Sequence, residues 1–139
     1  MTQELRGSCL CGDVKFVVNG PVEGIGQCHC SLCRKVSGTS SNAVFLVPHA
    51  QFRWMAGVDR TTIFVLRNDW SVLRCHRCGS PLPQSHDGKR YWVHAGLMDD
   101  VLAAEVRLHI HTASKADWDR IPEGVPQFPA WPPGAQPSS

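Results

Sequence analysis

The spacing of seven cysteines constrains this chain more than any other feature. They fall in three short clusters: Cys9 and Cys11 as C-x-C, Cys28, Cys30 and Cys33 as C-x-C-x-x-C, and Cys75 and Cys78 as C-x-x-C. Disulfides favour an even count and an exported chain, whereas Met1-Thr2-Gln3-Glu4-Leu5-Arg6 leads toward the first cysteine with no apolar signal segment. Pairs at these spacings in a reducing cytoplasm read as metal ligands. The cytoplasm is therefore the expected compartment.

Cys9, Cys11, Cys75 and Cys78 supply four thiolates, enough for a closed, tetrahedral structural zinc site tying the start of the chain to its middle. Two independent redox pairs are the competing account of those residues. Cys28, Cys30 and Cys33 then have no thiol partner left. They form either a three-ligand site with one position open to water or substrate, or a closed site completed by a distant His or Asp.

At 139 residues the chain is one domain by length. Asp13 to Asn19 alternates, with Val14, Phe16 and Val18 on one face and Lys15 on the other, the period of a half-buried strand. Leu32 to Val36 predicts a short helical turn stopped by Gly38. Strands are expected over 43–47, 51–55, 61–66 and 71–74, separated by Pro48, Gly57-Val58-Asp59 and Asn68-Asp69, and a hairpin over 81–95 turns at Asp87-Gly88. A late strand over 105–111 precedes a short helix capped by Ser114, whose Trp118 packs on the sheet with Ile121. That rhythm is all-β. Residues 122–139 hold six prolines among 18 residues and read as a tail, leaving 1–121 as the domain.

No apolar run approaches the roughly 20 residues that span a bilayer, so no membrane partner is expected. Fourteen Lys+Arg against 12 Asp+Glu give a net charge of +2, too weak to argue for nucleic acid. Arg53, Arg60, Arg67 and Arg74 recur every seven positions, which alternates faces on strands and reads as solvated surface. Arg34 and Lys35 follow Cys33 directly, and they either offset the thiolate charge or hold a substrate carboxylate. His29 is weighed as an outer partner of the cluster or a general base, His76 as solvent-facing. Trp54, Trp70 and Trp92 are read as core or pocket walls.

Four ordered motifs carry a family resemblance: Gly7-Ser8-Cys9-Leu10-Cys11-Gly12, Cys28-His29-Cys30-Ser31-Leu32-Cys33-Arg34-Lys35 with Gly38, Cys75-His76-Arg77-Cys78-Gly79, and His109-Ile110 with Ser114-Lys115 and Trp118. Over residues 5–121 the chain resembles the glutathione-dependent formaldehyde-activating (GFA) family, which includes the centromere-protein-V-like proteins. The resemblance implies an all-β, Mss4-like β-tent of short antiparallel sheets with a zinc knuckle and one or two short helices. It implies two zinc ions per chain, a structural one on Cys9, Cys11, Cys75 and Cys78 and a catalytic one on Cys28, Cys30 and Cys33. The implied reaction is that of a carbon–sulfur lyase joining glutathione and formaldehyde as S-(hydroxymethyl)glutathione.

Two other functions compete. One is a non-catalytic zinc module for a protein or nucleic-acid partner. The other is a thiol-redox enzyme similar to the methionine sulfoxide reductases, which needs a free nucleophilic cysteine and so requires that one cluster hold no metal.

Overall fold

Leu5 and Gly7 are buried on the first strand while Glu4 and Arg6 face solvent, the alternation of an element with one wet face. A computed structural model of the protein describes residues 3–66 and 70–134. Its elements are β1 (Glu4–Ser8), β2 (Lys15–Asn19), β3 (Ile25–Cys28), α1 (Ser31–Ser37), β4 (Asn42–Pro48), β5 (Phe52–Ala56), β6 (Thr61–Val65), β7 (Ser71–Cys75), β8 (Arg90–His94) and β9 (Val106–Ile110). The fold is mostly β, as expected. Helical structure among the described residues is confined to α1 and three single 3₁₀ turns.

The chain divides into two units, one of residues 1–23 and 45–103, the other of residues 24–44 and 104–139. In the first, β2 lies between β1 and β5, antiparallel to both, and β6 pairs with β7. Phe16, Val17 and Val18 are all buried on β2, so the clean alternation expected there is absent. A central strand covered on both faces has no wet side to mark with polar residues. Burying each such side chain contributes about 1.5–3 kcal/mol. Phe16, Phe52, Trp54 and Tyr91 extend this core as a set of ring contacts, with Phe52 and Tyr91 stacked at 3.9 Å. The expected hairpin over 81–95 is present as mutual backbone hydrogen bonds between Gln84 and Trp92. A second aromatic group joins Trp70, His86 and Trp92. Arg53 and Arg60 pair with Glu4 and Asp13 at the surface. Arg67 and the Asn68-Asp69 turn lie outside the described residues.

In the second unit, β3 pairs antiparallel with residues 42–44 of β4 and parallel with β9. The parallel pair departs from the expected antiparallel sheets. A hairpin forces antiparallel pairing only on strands that are close in sequence, and a long excursion of chain separates β3 from β9. The expected helix at Ser114 is also absent: a 3₁₀ turn at Thr112–Ser114 ends where Lys115 becomes extended, and Trp118 is 67 % exposed. The Pro-rich residues run along β9 instead. His109 N–H donates to Pro126 O and Phe128 N–H to His109 O, both at 2.9 Å, and His111 N–H donates to Ala130 O at 2.9 Å. Residues 135–139 lie outside the described residues.

Candidate metal centres

The first cysteine pair sits on the turn that joins β1 to β2. Cys9 accepts there twice, its backbone oxygen from Gly12 N–H (3.0 Å) and its sulfur from Val14 N–H (3.3 Å). The C-x-x-C pair caps the end of β7, where Gly79 N–H donates to Cys75 O at 2.9 Å. The knuckle glycine thus closes the turn through a carbonyl, and backbone amides face the sulfurs: that of Val14 faces Cys9, that of Asp13 faces Cys11, and those of Ser80 and Cys11 face Cys78. Cys9 Sγ lies 3.6 Å from Cys11 Sγ, which lies 3.8 Å from Cys75 Sγ. All four sulfurs of Cys9, Cys11, Cys75 and Cys78 fall within 4.8 Å of one another. Cys9 and Cys75 are buried with Val14 and Leu82, so this cluster stands inside the hydrophobic core of its unit.

Side chains around this cluster tie the two turns together. Ser80 Oγ accepts from Leu10 N–H at 2.9 Å and from the Cys78 thiol at 3.4 Å. Asp13 accepts from Arg60 at 3.2 Å and Arg77 at 3.3 Å, and these arginines hold its carboxyl below the usual range against the opposing effect of burial. His76 is exposed, as expected, with Nδ1 2.8 Å from Arg60 O.

The second cluster is local in sequence. Cys28 ends β3 and Cys30 is the N-cap of α1, its sulfur accepting from Cys33 N–H at 3.3 Å. Gly38, in the left-handed conformation, ends the helix with its N–H on Arg34 O. The sulfurs of Cys28, Cys30 and Cys33 lie within 4.8 Å of one another, and no fourth His, Cys, Asp or Glu joins them among the described residues. Hydrogen bonds from the Cys28 and Cys33 thiols, then from the Cys33 and Leu32 amides, pull Cys30 down to about 2. The same sharing with Cys30 pushes Cys28 up to about 11, and bonds with Cys28 and Cys30 push Cys33 up as well. Both clusters could hold a metal ion, and the sets brought together are the two that sequence spacing separates.

Two neighbours of the second cluster are placed by the structure. Arg34 keeps a buried Nε with no hydrogen-bond partner. His29, weighed as an outer partner of the cluster or a general base, is 1 % exposed and faces His109, which is 3 % exposed, and Asp119. Burial, then the His109 ring, lowers the His29 pKa, and burial lowers that of His109. His109 stands in the sequence motifs only as one histidine on a strand. Asp119 carries no sequence signal.

Comparison with known proteins follows the same lines. The family model for the glutathione-dependent formaldehyde-activating enzyme matches residues 4–114. A Halomonas elongata protein provisionally named glutathione-dependent formaldehyde-activating enzyme is 30 % identical over 126 residues, covering 84 % of this chain and 80 % of that protein. A Rhodobacter sphaeroides protein of known crystal structure shares the fold at a TM-score of 0.56 and 20 % identity, over 73 % of this chain and 98 % of that one.

Proposed function

The chain belongs to the glutathione-dependent formaldehyde-activating family, and from that premise we propose that it is a zinc-dependent carbon–sulfur lyase acting on glutathione and formaldehyde or a related aldehyde. The observation that carries this reading is the three-sulfur cluster with no fourth protein ligand among the described residues. A structural zinc on Cys9, Cys11, Cys75 and Cys78 fits the sulfur spacings of 3.6 and 3.8 Å, since metal–sulfur bonds of about 2.3 Å give a tetrahedral edge of about 3.8 Å. A second zinc suits the soft thiolates of Cys28, Cys30 and Cys33. Seven free thiols suit the reducing cytoplasm.

Zinc at the three-cysteine site supplies a Lewis-acidic centre with an open position, which lowers the pKa of a bound thiol. Three thiolates outweigh the two charges of the ion by one, which tempers its acidity and favours delivery of a substrate thiolate over generation of hydroxide. Arg34 and Lys35, in the last turn of α1, place positive charge beside that excess. In the reaction the glutathione sulfur bonds to the carbonyl carbon, the carbonyl π bond opens, and the thiol proton ends on the oxygen, giving S-(hydroxymethyl)glutathione.

The test is exchange spectroscopy by NMR with glutathione and ¹³C-formaldehyde, comparing the protein with Cys30→Ser. Cys30→Ser is expected to keep its far-UV circular dichroism and one metal ion while the rate falls to that of the uncatalysed mixture. A wild-type rate equal to that of the variant would sink the reading.

A further inference from the structure

Between Cys28 and Cys30 the chain buries an imidazole. The His29 backbone N–H donates to Ile110 O at 3.0 Å, and its Nε2 lies 2.9 Å from Nδ1 of His109, the neighbouring residue on β9. The other ring nitrogen, Nδ1, lies 3.6 Å from Asp119 Oδ2 and has no hydrogen-bond partner. An ionised carboxylate only accepts, so the His29 proton belongs at Nδ1, facing Asp119. Nε2 is then a lone pair and takes the proton of His109 Nδ1. The donors run in one direction, from His109 to His29 and from His29 toward Asp119.

Rings that are 1 % and 3 % exposed cannot meet a substrate directly. Their place in the chain gives them a different task. Residue 29 is the middle residue of C-x-C, and main chain and ring together fasten it to two consecutive residues of β9. With the ring hydrogen-bonded at Nε2 and its Nδ1 facing the Asp119 carboxylate at 3.6 Å, the residue that joins Cys28 to Cys30 has one orientation, and so do the sulfurs on either side.

We propose that His109 and Asp119 are positioning residues of the three-cysteine site, acting through His29 to hold the Cys28–Cys30 turn in the arrangement that gathers three sulfurs on one ion. The inference rests on the proposed function only in taking that cluster to bind a metal. Outer partners of metal-binding residues commonly govern affinity by about 10–100-fold, which makes the effect measurable without turnover.

The experiment loads the full chain with Co²⁺ and measures chelator competition and sulfur-to-cobalt absorption for wild type, His109→Leu, His109→Asn and Asp119→Ala. The Asn amide can donate from about the position of Nδ1, and Leu cannot. His109→Leu is expected to weaken the three-cysteine site by about tenfold or more and to alter its absorption, with His109→Asn returning to within about threefold of wild type. The four-cysteine site, read separately as the ion that persists in Cys30→Ser, is expected to keep its affinity. Wild-type affinity in His109→Leu overturns the proposal, and so does an equal loss in Leu and Asn, which would reduce His109 to packing. If His109→Leu does not fold, Asp119→Ala carries the test, because that side chain is 21 % exposed. Asp119→Ala is expected to weaken cobalt by about threefold or more, and unchanged affinity overturns the proposal. Failure of the lyase reading would look different: no acceleration by wild type, in a protein whose cobalt affinity still depends on His109.

Discussion

Gly57 and Asp13 meet backbone to backbone: a Cβ built at Gly57 would overlap the Asp13 carbonyl oxygen and crowd Val14 Cα at 2.9 Å. Asp13 follows the Cys9–Cys11 turn and carries both Arg60 and Arg77. The close approach therefore presses the turn beyond β5 against the segment that carries the first cysteine pair. Gly57 also takes φ +78°, where a side chain is strained. Gly57→Ala is expected to destabilise the protein by about 3 kcal/mol, combining overpacking with backbone strain. A urea midpoint unchanged from wild type would refute this account.

Removing one sulfur from the four-cysteine cluster should cost far more than removing one from the other. Binding of a structural zinc contributes roughly 10–16 kcal/mol, comparable to the whole stability of a domain, about 5–15 kcal/mol. Cys75→Ser is expected to unfold the chain, seen as loss of the folded circular dichroism spectrum, whereas Cys30→Ser remains folded. A folded Cys75→Ser protein would contradict a structural role for that ion.

His94, half-buried at the end of β8, is an acid-sensitive site. Burial, then the charge of Arg74, lowers its pKa to about 4, and its Nδ1 is buried without a hydrogen-bond partner. A folded pKa below the unfolded value of about 6.5 means that the unfolded chain binds the extra proton first. Stability is then full above about pH 6.5 and falls as the pH drops toward 4. The loss at pH 5 is at most about 2 kcal/mol. His94→Asn is expected to show a flatter stability curve between pH 7 and pH 5 in denaturant titrations, and curves of equal slope would count against the assignment.

Ending the chain after Ile121, where composition places the domain boundary, removes the segment bonded to His109, His111, Thr112 and Ala113. Backbone bonds contribute about 0.5–1.5 kcal/mol each, so the truncated chain is expected to be less stable by about 3 kcal/mol or more. Hydrogen exchange at the His109, His111 and Thr112 amides reports the change directly. Protection equal to that of the full chain would show that the Pro-rich segment leaves β9 unaffected.

Sequence pattern reached β4 to β9 because each is a β-branched or aromatic run bounded by turn residues. It missed β3, since Ile25-Gly26-Gln27-Cys28 has no such run and becomes a strand by lying between β4 and β9. It missed β1 in part because Gly7, one of its two buried positions, has no side chain for a hydrophobic period to register. The cysteine sets were legible from spacing alone, because ligand chemistry leaves a mark on sequence that does not depend on the path between clusters. The His29–His109–Asp119 group was not, because it depends on the parallel register of β3 with β9 and on a turn that replaces an expected helix.

Cys11 and Cys75 are 64 positions apart, and Cys28, Cys30 and Cys33 all fall between them. An ion on the four-cysteine cluster would therefore act as a removable cross-link, closing a ring of chain around the other cysteines. By the entropy of loop closure, a link of that span is worth about 4 kcal/mol against the unfolded ensemble. Unlike a disulfide, such a link would open to a chelator rather than to a reductant.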